Sequence, residues 1–254
     1  MKLLCSDFDG TLHYRTEKYG YIRDVDRQAV TQFRKDGNLF AICTGRPLSG
    51  LLRDVRNNLD VDYYITSTGA MISSVHDVPK KIIMENQISG KNCIDLQKRF
   101  HHDGVLFIHA ENAVHTFAYS DKGYPEQHVL KDLKALDEMH ITGISIYCDT
   151  DEISRKITDA INHDYYEIAA FQNRNWLDVV KNGTSKGNGA LYLKQYVHAD
   201  ILGGIGDSYN DIPLLQAADV SFTFHSSPEE VRKEADYLVD SESEAIAILN
   251  RMKG

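Results

Sequence analysis

Two parts of the chain, one at each end, alternate strand-length apolar runs with stretches of helical periodicity. In the first part, residues 3–5, 39–43 and 63–66 read as buried strands, and each is followed by a polar or glycine-containing loop. Apolar residues with helical spacing over 24–36 and 49–59 separate these runs. The order strand, helix, strand predicts an α/β fold with a doubly wound, parallel, Rossmann-like sheet.

The middle of the chain has a different pattern. Between residues 82 and 180 the predicted strands come as neighbours, 105–109 with 114–119 and 165–170 with 176–180, and a further strand covers 143–148. Predicted helices lie between them, at 90–102, 126–138 and 152–162. Paired strands with intervening helices indicate a smaller α+β unit with an antiparallel sheet. We therefore expect a core of residues 1–81 and 181–254 with an inserted cap of residues 82–180.

The last part of the chain returns to the first pattern. A helix is predicted at 186–196, a strand at 201–205 and a short helix at 212–217. Strands at 220–224 and 237–239 follow, and a helix over 243–252, with Ser241 or Ser243 as its cap, ends the prediction.

Charge and composition narrow the classes of partner. The formal net charge of −9 argues against binding to nucleic acid or to anionic membranes, both of which need basic patches. The four cysteines have neither CxxC nor zinc-site spacing, so they read as buried thiols in a reducing compartment. The start of the chain turns polar too early for a signal peptide, and no apolar run has membrane-spanning length. We expect a cytoplasmic monomer or weak homo-oligomer that acts on a small molecule.

Chemistry-bearing side chains follow three of the predicted core strands. Asp7 and Asp9 follow the first strand, Thr44-Gly45-Arg46 the second, and the segment 206–211, with Asp207, Asn210 and Asp211, a later one. Lys186 opens a predicted helix, where a cation opposes the helix dipole, which favours a functional role. Because the carboxyl ends of parallel strands meet at one edge of a sheet, these loops should converge there.

This set of side chains suits phosphoryl transfer. Carboxylates from two strand ends can hold a hard cation such as Mg²⁺, which neutralises phosphate oxygens and lets an anionic nucleophile approach. A carboxylate nucleophile divides a difficult hydrolysis into two easier steps. Asp9, two residues beyond Asp7, can exchange protons with the leaving oxygen and with water. Taken alone, Asp7 and Asp9 could equally be turn residues before Gly10.

The sequence resembles the haloacid dehalogenase superfamily over nearly its whole length. The resemblance rests on Asp-Phe-Asp-Gly-Thr at residues 7–11, Thr-Gly-Arg-Pro at 44–47, Ser-Lys-Gly at 185–187 and Gly-Asp-Ser-Tyr-Asn-Asp at 206–211. The large insert before Lys186 is similar to the cap of the Cof-type branch, which includes many sugar-phosphate phosphatases. The resemblance implies a magnesium-dependent phosphatase that forms an aspartyl-phosphate.

The resemblance also implies a role for each motif residue. Asp7 would be the nucleophile and a Mg²⁺ ligand, and Asp9 the acid/base with its backbone oxygen on the metal. Thr44 and Lys186 would bind the phosphoryl group. Further implied residues are Asp207 and Asp211 at the metal, with Asp211 positioning Lys186 or a metal-bound water, and Phe8, Gly45, Arg46 and Asn210 at the substrate.

Several alternatives remain open at this point. Arg46 suits a structural ion pair as well as substrate binding, and Trp176 suits the packing of the cap sheet as well as the active site. The chain departs from many Cof-type relatives at Ser67-Thr68-Gly69 and at His225-Ser226. A phosphomutase, or a non-enzymatic regulator switched by phosphorylation of Asp7, would use the same nucleophile.

Overall fold

The computed structural model describes residues 1–16, 20–55, 59–77 and 81–252. Within these residues the strands are β1 (Lys2–Ser6), β2 (His13–Arg15), β3 (Gly20–Ile22), β4 (Leu39–Cys43), β5 (Tyr63–Thr66), β6 (Met71–Ser74), β7 (Ile82–Glu85), β8 (Gly104–Ala110), β9 (Ala113–Thr116), β10 (His128–Val129), β11 (Ile141–Cys148), β12 (Ile168–Asn173), β13 (Trp176–Lys181), β14 (Ile201–Ile205), β15 (Val220–Phe224) and β16 (Tyr237–Val239). The helices are α1 (Asp24–Lys35), α2 (Leu48–Val55), α3 (Gly90–Phe100), α4 (Asp151–Asp164), α5 (Lys186–Val197), α6 (Ile212–Ala217), α7 (Glu229–Arg232) and α8 (Glu242–Arg251), with 3₁₀ turns at Leu133–Glu138 and Tyr209–Asp211.

The larger sheet, called the core sheet below, has eight strands in the order β16-β15-β14-β1-β4-β5-β6-β7. The six strands from β16 to β5 are parallel, and β6 and β7 extend the edge as antiparallel strands. Most residues of β1, β4 and β14 are buried, as expected for strands covered by helices on both faces. This arrangement confirms the predicted α/β fold, and it makes β14, β1 and β4 direct neighbours.

The smaller sheet, called the cap sheet, has six strands in the order β10-β9-β8-β11-β13-β12. All its pairings are antiparallel except the short β9–β10 pair. Apolar residues of α3 and α4 form a separate core with this sheet. The domain division at residues 82 and 180 stays a prediction. At the first boundary, Ile82–Glu85 belongs to the core sheet because it pairs with β6. At the second boundary, β13 of the cap sheet continues one residue past 180, to Lys181.

Four helices, α3, α4, α5 and α8, begin where a serine or threonine hydroxyl accepts a hydrogen bond from a free backbone N–H group. The Ser185 hydroxyl accepts a hydrogen bond from the N–H of Asn188 and starts α5, and the Ser241 hydroxyl does the same for α8. Helix α5 therefore begins with Lys186 in its first turn. No helix among the described residues is long and apolar enough to cross a membrane.

The sequence interpretation was wrong for one helix and inexact for others. Residues 126–138 do not form a helix; β10 and the 3₁₀ turn at Leu133–Glu138 stand there. The Asp132 side chain accepts from the N–H of Lys134 and starts that turn, and Leu136 is buried beneath α3. The helix predicted at 49–59 is α2 and ends at Val55; residues 56–58 of that prediction lie outside the described residues.

Candidate active site

The loops after β1, β4 and β14 meet at one end of the core sheet, beneath the cap sheet. They surround a cavity of about 600 Å³. Core residues on its wall include Asp7, Asp9, Thr44, Gly45, Arg46, Asp207 and Asn210. The convergence follows from the strand order, because β14, β1 and β4 are adjacent and parallel and so end at the same edge.

Lys186 contacts two of these loops, the one after β1 through Asp7 and the one after β14 through Asp211. Its side chain is 1% exposed, and its Nζ lies 2.6 Å from Oδ1 of Asp7 and 2.5 Å from Oδ1 of Asp211. Burial alone would lower the pKa of Lys186, but Asp211 and Asp7 outweigh it and hold that pKa well above its ordinary value. The two carboxylates therefore favour the cationic form of Lys186 at the end of β1.

Three carboxylates gather around this cation. Oxygens of Asp7, Asp207 and Asp211 lie within 4.8 Å of one another. Burial and the charge of Asp211 raise the pKa of Asp7 well above its ordinary value and that of Asp207 to about 6. In the fully ionised cluster Lys186 would balance one of the three negative charges, and the exposed Arg174 comes only within 3.7 Å of Asp207. A buried all-oxygen cluster with excess negative charge fits a divalent cation.

Asp211 differs from the other two carboxylates in having both oxygens engaged by hydrogen bonds, whereas Lys186 contacts one oxygen of Asp7 and the Thr11 hydroxyl donates to one oxygen of Asp207. Oδ2 of Asp211 accepts hydrogen bonds from the backbone N–H groups of Asp207 and Ser208, both at 3.0 Å, while Oδ1 holds Lys186. The side chain is fully buried. It shapes the loop that carries Asp207 and fixes Lys186, which suits the implied positioning role better than direct metal ligation.

Arg46 forms ion pairs with two carboxylates. Its Nε and Nη2 form a fork on the two oxygens of Asp9, with Nε–Oδ2 at 2.6 Å, and its Nη1 lies 2.6 Å from Oδ2 of Asp54. Burial alone would raise the pKa of Asp9, but the His13 and Arg46 side chains outweigh it and hold that pKa below its ordinary value. These contacts favour the ionised form of Asp9, which is the form that accepts a proton.

The remaining predicted residues divide into two groups. Thr44 and Gly45 lie on the cavity wall, and Asn210 lies there with its Oδ1 buried and without a hydrogen-bond partner among the described residues. The side chain of Phe8 is fully buried and stacks on His13 with ring centroids 4.7 Å apart. Phe8 is not among the described residues that line the cavity, so the predicted substrate contact could come only from its backbone.

Comparison with known proteins gives the family. A family model described as haloacid dehalogenase-like hydrolase matches residues 4–251. The chain belongs to the haloacid dehalogenase-like hydrolases. It is 23% identical to the 5-amino-6-(5-phospho-D-ribitylamino)uracil phosphatase YwtE of Bacillus subtilis, over 96% of this chain and 94% of that one.

Solved structures of this family share the fold. A haloacid dehalogenase-like hydrolase from B. subtilis superposes with a TM-score of 0.84 at 16% identity, over 100% of both chains. The subclass IIB sugar phosphatase BT4131 superposes with a TM-score of 0.79 at 19% identity, over 99% of this chain and 100% of the other. Family membership and the phosphatases among the relatives support phosphatase activity for this hydrolase.

The cap side of the hydrolase's cavity holds residues that the sequence reasoning missed. Asp178, Tyr124 and Ser145 reach the cavity from the cap, as do Asn173, Arg174 and Asn175 of the β12–β13 turn. Trp176, for which both roles stayed open, lines the cavity and also packs on Phe107 with ring centroids 5.6 Å apart. The sequence signal that could have found Asp178 is the alternation of side chains along β13, which puts Trp176 and Asp178 on the same face of the strand.

Proposed function

We propose that the chain is a Mg²⁺-dependent phosphatase that hydrolyses a small phosphorylated metabolite through phosphorylation of Asp7. The observation that carries this proposal is the buried contact of Asp7 with Lys186 beside the carboxylates of Asp207 and Asp211, at the floor of a cavity. YwtE and BT4131 are named for a phosphorylated ribitylaminouracil and for sugar phosphates, so a sugar phosphate or phosphorylated cofactor is the proposed substrate. The four unpaired cysteines agree with a cytoplasmic location.

The first half-reaction transfers the phosphoryl group to Asp7. The Asp7 oxygen that is not held by Lys186 forms a bond to phosphorus while the bond from phosphorus to the leaving oxygen breaks. Lys186 keeps Asp7 oriented, and the Thr44 hydroxyl and Gly45 backbone bind phosphoryl oxygens. Asp9 must first leave the fork of Arg46 and take up a proton from solvent, and it then delivers that proton to the leaving oxygen.

The second half-reaction returns Asp7 to its starting state. Asp9, now ionised, takes a proton from a water molecule whose oxygen attacks phosphorus. The bond between phosphorus and Asp7 breaks, and inorganic phosphate is released. The ion pair with Arg46 favours the ionised form of Asp9 and so suits this step.

Asp7 and Asp207, with the backbone oxygen of Asp9, would hold the Mg²⁺ ion. When bound, the ion supplies positive charge against the phosphoryl oxygens. Asp211 fixes the loop that carries Asp207 by accepting from two of its backbone N–H groups. This division of roles among the three carboxylates follows from which of their oxygens are already engaged.

The test is phosphate release from a panel of phosphorylated metabolites, with Mg²⁺ and with a chelator. We expect Mg²⁺-dependent release from one group of compounds, and loss of that activity in Asp7→Asn with the fold and Mg²⁺ binding retained. Asp24→Asn, an exposed aspartate of α1, is the matched control. Retained turnover in Asp7→Asn would refute the nucleophile assignment. Loss of substrate without stoichiometric free phosphate would instead favour a mutase.

A further inference from the structure

The loop between β5 and β6 adopts an unfavourable backbone conformation. Ser67, Thr68 and Gly69 have φ angles of 47°, 54° and 93°, so three consecutive residues are left-handed. This region disfavours residues with a Cβ by roughly 1–2 kcal/mol each, and β-branched threonine is especially rare there. Such strain persists where surrounding contacts enforce it, and it concentrates at functional sites.

The strained residues contact the cap sheet through their hydroxyl groups. The Thr68 hydroxyl donates to Oδ2 of Asp178 on β13 at 2.9 Å. The Ser67 hydroxyl lies 3.2 Å from Nδ1 of His109 on β8. All four residues are buried. The residues that distinguish this chain from many Cof-type relatives are therefore those that join the core to two cap strands.

The hydrogen bonds of the cap side run in one direction, toward Asp178. The Ser145 hydroxyl has one hydrogen, which it donates to Oδ1 of Asp178 at 2.7 Å. Its 3.1 Å contact with Nε2 of His109 must then use the hydrogen of the imidazole. Burial lowers the pKa of His109 to about 3, so the ring is neutral and its Nδ1 accepts from Ser67. Burial raises the pKa of Asp178, while the hydrogen bonds from Ser145 and Thr68 favour its ionised form, and in that form Asp178 is the acceptor at the end of this chain.

Asp178 faces the cavity directly above the predicted phosphate-binding loop. It lines the cavity, and a methyl group built on Gly45 would lie only 2.2 Å from its Oδ2. An ionised carboxylate offers about four acceptor positions; Thr68 and Ser145 occupy one on each oxygen, and the Asn210 side chain also donates to Asp178. Acceptor capacity thus remains beside the place where the phosphate ester would sit. The unpartnered Oδ1 of the neighbouring Asn210 adds a second buried acceptor on the same wall.

We propose that Asp178, held by Thr68 and Ser145, is a specificity-determining residue that accepts a hydrogen bond from a hydroxyl group near the ester of the leaving group. The favoured substrates are then phosphate monoesters of polyols and sugars, and simple alkyl phosphates are disfavoured. This inference rests on the proposed phosphatase function. It assigns a role to the Ser67-Thr68 departure, because the strained loop fixes the acceptor in position.

The experiment compares two esters of similar size, glycerol 3-phosphate and n-propyl phosphate, by Mg²⁺-dependent phosphate release. We expect wild-type kcat/KM to be larger for the ester with hydroxyl groups, and Asp178→Asn to reduce the ratio of the two kcat/KM values roughly 10- to 100-fold. An unchanged ratio in Asp178→Asn would overturn the inference and leave the phosphatase intact. Wild-type protein that hydrolyses neither ester nor any member of the metabolite panel would overturn the proposed function itself.

A second pair of variants keeps the test valid if Asp178→Asn does not fold. Thr68→Val removes the hydroxyl at nearly constant shape, and Thr68→Ser keeps the hydroxyl while removing the β-branch. We expect Thr68→Val to lower the ratio and Thr68→Ser to retain it. If both change thermal stability alone and leave the ratio at its wild-type value, Thr68 is only structural and the positioning claim fails.

Discussion

Replacing Lys186 by methionine tests how the buried charges at Asp7 are balanced. The substitution keeps much of the aliphatic side chain but leaves Asp7 and Asp211 without the cation that both contact, at 2.6 and 2.5 Å. Removing one partner of a buried ion pair costs about 3–5 kcal/mol, because the remaining charge stays buried and unpaired. For a chain of this size that corresponds to a fall in Tm of roughly 6–20 °C.

The assay is thermal unfolding in a chelator, with Lys194→Met as the matched control. Lys194 lies on the same helix and pairs with Asp219 at 2.6 Å, but both side chains are partly exposed, so its loss should cost about 0–1 kcal/mol. Added Mg²⁺ should narrow the difference, since a bound cation offsets the same carboxylates. Equal Tm values for the two variants in chelator would refute the reasoning that Lys186 balances the buried charge.

Three further predictions concern single positions. Burial raises the pKa of Glu242 to about 8. The protonated carboxyl therefore contributes folding stability below about pH 4.5, and this contribution is lost as the pH rises toward 8. Glu242→Gln should remove this pH dependence of the free energy of unfolding, measured in urea. Gly69→Ala should destabilise the protein by more than Gly37→Ala in the same assay. Both glycines have a positive φ, at which an alanine costs about 1–2 kcal/mol. Of the two, only the new methyl group at residue 69 would meet a backbone oxygen, at 2.1 Å. Gly45→Ala should lower kcat/KM by roughly 10- to 100-fold, because its methyl group displaces the loop or Asp178; wild-type kcat/KM in that variant would contradict the close approach.

The parts of the site that the sequence predicts are those built by local rules. Asp7, Thr44 and Asp207 each follow a run of buried strand residues, and parallel neighbours end at the same edge. The position of Lys186 in the first turn of α5 follows from the Ser185 cap. A single rule, that α/β sheets bring their loops together at the carboxyl ends, therefore predicts most of the cavity floor.

The cap side could not be predicted in the same way. Alternation along β13 puts Trp176 and Asp178 on one face, but which face meets the core depends on how two sheets pack, and no local pattern contains that information. Arg46 was ambiguous for a related reason. Its partner Asp9 lies 37 residues away in the chain and Asp54 lies on α2, so only the packed structure shows that it forms both ion pairs.

The charge distribution explains how an acidic chain can bind an anionic substrate, and it links substrate binding to the metal. Lys186 is already engaged by Asp7 and Asp211, and Arg46 by Asp9 and Asp54, so neither offers a full positive charge to an approaching phosphate. When all three are ionised, as metal binding requires, Asp7, Asp207 and Asp211 together exceed the charge of Lys186 by two. A phosphate dianion therefore meets net repulsion at the cavity floor until a divalent cation is present. Metal and substrate affinities should for this reason be coupled, and by thermodynamic linkage each should strengthen the other by the same factor.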